Sequence, residues 1–148
     1  MKQTEKAQSS IEYLILLAVL VSFFAVLAPA MRQAYSISFY SINVISAKSF
    51  AEELSAKTTE LSFLGNGSSI LVEAKPVGGW ILQASSNQLQ IIVKDSSLQT
   101  EKSFLVEFPN ELNFQQQAIS EKTVFLLSKS NNLILLENFY TNNSSFSG

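Results

Sequence analysis

The chain has 148 residues, 47% of them apolar, and ten basic against twelve acidic side chains give a formal charge of −2. That leaves room for one domain of ordinary size plus an accessory segment, with enough apolar content for a core, while the scattered charge offers no attraction for nucleic acid. Cysteine and histidine are absent, which removes disulfides, thiolate metal sites, the commonest general base and the usual transition-metal ligand, so neither an enzyme nor a metal or cofactor site is expected.

Residues 13–31 carry no charge and are almost continuously apolar. At a rise of about 1.5 Å per residue such a run spans roughly the 30 Å hydrocarbon core of a bilayer. A polar head, MKQTEKAQSS, precedes it and Arg32 follows. Beyond Arg32, Ile37, Tyr40, Val44, Ala47, Ala51, Leu54, Thr58 and Leu61 recur at spacings of three and four, the seam of an amphipathic helix. Read together, the two stretches predict one helix from about residue 9 to about residue 62, on the order of 80 Å long. Pro29 crowds the carbonyl of Ala25 and predicts a kink rather than a stop, because helix-compatible residues continue directly after it.

GNGSS at 65–69 breaks the pattern, and β texture follows. Six runs, SILVEA, GWILQAS, LQIIVKD, SFLVEF, TVFLLSK and LILLENF, are separated by Gly, Asn, Ser and Pro punctuation. They predict a compact antiparallel sheet or small sandwich, with Pro109 at the end of its run. The fold class is therefore α+β: a long N-terminal helix, transmembrane then amphipathic, carrying a small antiparallel β head in the manner of a lollipop.

Glu12 stands at the mouth of the apolar run. A carboxylate at the centre of a membrane helix costs roughly 2.5–3.5 kcal/mol, and less near an end. Ser9 to Glu12, SSIE, has capping-box spacing, and an acid in a first turn favours the helix dipole. One reading of Glu12 is thus a helix-start residue.

Gln8, Ser10, Glu12 and Leu16 spell Q-x-S-x-E-x-x-x-L, which resembles the class III signal peptide of archaeal type IV pilin-like proteins. The resemblance implies that a membrane-bound prepilin peptidase cuts between Ala7 and Gln8, removing residues 1–7 as a leader. Residues 8–31 are then the transmembrane and filament-core helix, 32–64 its amphipathic continuation, and 65–148 the head. Glu12 becomes the fifth residue of the mature chain and Pro29 the twenty-second, both positions the wider family keeps. The implied function is a structural subunit of a surface filament, serving adhesion, with copies of itself and the pilus assembly machinery as partners. The subunit is expected in the cell membrane with its head outside before assembly, and in an extracellular filament afterwards. Glu12, with the α-amine of Gln8 of a neighbouring copy, is expected to set register; cyclisation of Gln8 to pyroglutamate would remove that amine's charge. Ala18, Ser22, Ala25 and Pro29 offer one face of small residues for close helix approach.

Other readings stay open. The chain could be a minor or pseudopilin-like subunit that primes assembly. APA at 28–30 is a small-x-small pattern, which in an ordinary secretory signal would release a soluble domain starting at Met31. A membrane-anchored binding protein would use Trp80, Tyr35, Tyr40 and Tyr140 for stacking, although aromatics at such positions usually fill cores. Asn66, Asn142 and Asn143 begin sequons in loop-like stretches and are acceptors for N-glycosylation if the head lies outside the cell.

Overall fold

The computed structural model describes residues 2–131 and 133–139, with the backbone alone for residues 2–10. Helix α1 spans Lys2–Phe63. It begins earlier than the capping-box spacing suggests: Ser9 lies within the helix rather than capping it. The physical reason is that Lys, Gln, Glu and Ala of the head are all good helix formers, so nothing stops the helix there. Pro29 also sits inside α1 without ending it. The chain divides into two compact units between Ser38 and Phe39.

The first unit is the helix up to Ser38, and nearly all its described side chains are exposed. The second unit holds the rest of α1 and eight strands: β1 (Ser69–Ala74), β2 (Trp80–Ser85), β3 (Gln88–Asp95), β4 (Thr100–Glu107), β5 (Glu111–Asn113), β6 (Gln117–Ile119), β7 (Thr123–Ser130) and β8 (Leu133–Asn138). They form two four-stranded sheets, ordered β1-β7-β8-β5 and β4-β3-β2-β6. The six sequence-predicted strands are all present. β5 and β6 are additional, and β5 pairs parallel to β8, so the head is not wholly antiparallel.

Both sheets turn one face to a shared core. Val72, Ala74, Phe125, Leu127, Ile134 and Leu136 come from the first sheet, and Trp80, Leu82, Leu89, Ile91, Val93 and Val106 from the second. The helix adds Ala47, Phe50, Ala51, Leu54 and Leu61 to the same cluster, and Phe50 packs against Trp80 and Phe125 at ring separations of 5.7 and 6.1 Å. On one flank of the helix, a groove is lined by Ser46, Ser49 and Glu53 together with Glu73 and Lys75 at β1. On the other flank, Lys48, Glu52 and Ser55 face Phe104 and Leu105 of β4. Helix residues 45–56 therefore lie between the β1 edge of one sheet and the β4 edge of the other.

Two polar devices fix the helix to the strands. Asn43 is buried, and its Oδ1 accepts from Trp80 Nε1 at 2.6 Å and from the Gly78 amide at 3.1 Å. At the other end the last turn of α1 carries no basic residue. Its orphan carbonyls are met instead by Lys129 of β7, whose Nζ donates to Ser62 O at 2.8 Å and to Leu64 O at 3.0 Å. A cation there satisfies the exposed carbonyls and opposes the negative end of the helix dipole. Gly67, at φ +86° in the turn that follows, donates its amide to Lys129 O at 2.8 Å; that backbone region favours glycine.

Candidate functional site

The feature that stands apart from this packing is the helix between Ile11 and Met31. Tyr13, Leu14, Ile15, Leu16 and Leu17 are all more than half exposed. Successive residues turn by about 100° around a helix, so five in a row cover its whole circumference. This stretch is apolar all round, unlike the amphipathic portion from Phe39 onward. An 18-residue window of α1 passes the length and composition test for a membrane span, and none of it is buried within the structure.

Polar groups inside the stretch are handled locally. Ser22 Oγ donates to Ala18 O at 2.7 Å, so its hydroxyl is satisfied without a partner chain. Glu12 is exposed, between Ile11 and Tyr13, and Leu16 follows four residues on, on the same side of the helix. Ala18, Ser22, Ala25 and Pro29 fall within one narrow arc, about 120° around the helix from Glu12. Glu12 shares its own face with Leu16, Val19 and Phe23, so the acid and the small-residue stripe address different neighbours. Ala7, Gln8 and Ser10 lie on α1, but their side chains are outside the described residues.

In the second unit the stacking reading of the aromatics is corrected at Trp80. It is 1% exposed, with its indole N–H given to Asn43, because an aromatic on an inward strand position fills the core. Tyr40 is half-buried against that core, Tyr35 is exposed on the first unit, and Tyr140 lies outside the described residues. Of the sequon asparagines, Asn66 is exposed in the turn after α1, where its Nδ2 donates to Asn131 Oδ1 at 3.3 Å. Asn142 and Asn143 lie outside the described residues.

Sequence reasoning missed Asn43, Phe50 and Lys129. Asn43 and Phe50 do fit the seam spacing, at 43-47-50-54, but a polar residue beside Val44 reads as exposed. Lys129 gives no local signal, since it serves a helix end 65 residues away.

No protein-family model, curated protein or solved structure matches the chain.

Proposed function

We propose that the chain is a structural subunit of an archaeal type IV pilus-like surface filament, held in the membrane by its apolar helix before assembly and polymerising through that helix afterwards. The observation that carries this reading is the uncharged stretch Tyr13–Met31, apolar on every side and uncovered, on a chain whose other unit closes a core of its own. Such a helix needs either lipid or other helices around it.

Cleavage before Gln8 would make Glu12 the fifth residue of the mature helix and bring its carboxylate near the positive end of the helix dipole. In a bundle of such helices the acid could pair with the α-amine of a neighbouring copy. A buried pair of this kind fixes register more than it adds stability, because desolvation consumes much of the attraction. The exposed head then forms the filament surface, with adhesion as its use.

Mass spectrometry of the mature N-terminus, combined with electron microscopy of cell-surface material, tests the reading. A start at Gln8 and long fibres containing the chain are expected. A start at Met31, or a chain that keeps its helix yet never polymerises, refutes it in favour of a secreted or anchored binding domain.

A further inference from the structure

We infer that Glu12 of one copy pairs with Arg32 of the next, in helices that run parallel and are offset lengthwise by about 30 Å. The inference rests on the filament reading above and specifies the offset at which the apolar helices meet.

From Tyr13 to Ala47 the sequence holds a single charged side chain, Arg32, and Glu12 is the charge that precedes it. Both are exposed, and neither forms an ion pair among the described residues. They cannot neutralise one another within a chain. Helix α1 is unbroken from one to the other, and at 1.5 Å and 100° per residue they lie about 30 Å apart and about 200° around, on opposite sides of the helix. That distance is also roughly the thickness of a bilayer's hydrocarbon core. In a membrane-spanning copy each charge therefore lies near its own interface, where a charge costs least. Once the helices exchange lipid for one another, neither charge has an interface within reach, and a charge enclosed by apolar helices needs an opposite one.

Geometry limits how that partner is supplied. Copies drawn from one membrane with their heads on the same side are parallel. In register, they would set Glu12 against Glu12 and Arg32 against Arg32. Displaced by about 30 Å, they bring Glu12 of the leading copy level with Arg32 of the trailing one. The tilt of side chains toward the helix N-terminus is the same in both copies, so the level is kept. Because the two charges lie on opposite sides, each copy offers Glu12 to one neighbour and Arg32 to another. That is the head-to-tail arrangement, which propagates instead of closing a dimer. The pair is flanked by apolar surface from both copies: Leu16 lies one turn beyond Glu12 and Tyr35 one turn beyond Arg32, 67% and 72% exposed.

A guanidinium keeps its charge whether or not Gln8 is cyclised, so this pairing does not depend on the state of the N-terminus. Pairing of Glu12 with the α-amine of Gln8 needs a much smaller offset, about 6 Å, and so belongs to a different neighbour. The two oxygens of the carboxylate accommodate both.

The absence of native cysteine lets the offset be read directly. Ile15→Cys and Ser36→Cys are combined in the full chain, with Tyr13→Cys and Tyr35→Cys as a second pair. Surface filaments are treated with a short, membrane-permeant bis-maleimide, and the linked peptides are identified by mass spectrometry. Within one chain the two cysteines of each pair lie about 30 Å apart or more, beyond the reagent, so a link between position 15 and position 36 arises only between copies. Such links are expected, from 15 to 36 and from 13 to 35. Intact filaments linked only like to like, or not at all, would overturn the offset while leaving the filament reading standing. Arg32→Gln and Arg32→Lys separate charge from shape. The first is expected to stay inserted, by protease protection, yet lose most of its filaments, because Glu12 is left enclosed without a partner; the second is expected to retain them. Filaments from Arg32→Gln at wild-type yield would overturn the pair, and should that variant fail to insert, the cross-links decide. Absence of filaments from the wild-type chain removes the filament reading, and the pair with it.

Discussion

Asn43→Ala tests how the helix is tied to the strands. The substitution removes the acceptor for two donors, the buried indole N–H of Trp80 at 2.6 Å and the half-buried Gly78 amide at 3.1 Å. A buried donor left without a partner costs about 1–3 kcal/mol. Trp80 is almost fully enclosed and belongs at the upper end; Gly78 can recruit water and belongs at the lower, giving a loss of about 2–4 kcal/mol. For a domain whose net stability is about 5–15 kcal/mol, that is a large share. Trp80 is the only tryptophan, so its fluorescence during urea titration of the full chain in detergent micelles reports on the head directly. In a Trp80→Phe background the indole donor is gone, and Asn43→Ala should then cost only about 1 kcal/mol, the share of the Gly78 amide, read by circular dichroism. A loss below about 0.5 kcal/mol in the native background, or equal losses in both, would refute the reasoning. Gly78→Ala should destabilise through the same contact, since an added Cβ would lie 2.8 Å from Asn43 Nδ2, an amide held in place by its neighbours. Gly79→Ala, with nothing within 4 Å of its Cβ position, is the control.

Lys129→Met should cost about 1–2 kcal/mol in the same titration, because it strips the cation from the end of α1 and leaves the carbonyls of Ser62 and Leu64 without their donor; an unchanged midpoint would dismiss the capping role. The Ser97 hydroxyl, followed by the Leu98 amide, holds the Asp95 carboxyl below the usual aspartate range. Its folded value is depressed, so its contribution to stability is present above the unfolded pKa and is lost as pH falls through the folded one. Asp95→Asn should therefore flatten the acid limb of the head's stability profile, and identical limbs would count against the turn's contribution. Glu12→Ala should still insert and be processed yet assemble poorly, and a normal filament yield would remove the role proposed for Glu12.

The parts of the fold that could be read in advance were those with a period. The spacing of Ala47, Ala51, Leu54, Thr58 and Leu61 repeats often enough to declare a helix face, and all five are buried. GNGSS marks the helix end because glycine there meets a turn with positive φ. β5 and β6 escaped for the opposite reason. Each has three residues with a single buried side chain, Leu112 and Ile119, too short for any alternation, and their pairing is decided by distant strands. Helix initiation was misplaced because SSIE satisfies a local rule that the helix-forming residues before it override. In the apolar stretch, composition was enough to mark it as exceptional; that Glu12 and the small-residue stripe face different ways follows once the helix is known to be unbroken through both.

In the filament reading, the reason for assembly has to be sought in what surrounds that stretch. Fourteen large apolar side chains between Ile11 and Met31 are exposed to some degree. At about 1.5–3 kcal/mol for each fully buried side chain, and with roughly half of each exposed, leaving them in water costs on the order of 20 kcal/mol. A free monomer in water is thereby disfavoured, but lipid already removes that cost, so apolarity alone gives a helix no reason to exchange lipid for its sister copies. The bias toward a filament must come from terms that differ between the two surroundings. In the filament reading there are two: close packing along Ala18, Ser22 and Ala25, and relief of an acid that lipid tolerates poorly at Glu12. Each is individually small, and on different faces of the helix, so growth depends on both engaging at once and a lone pair of copies gains little.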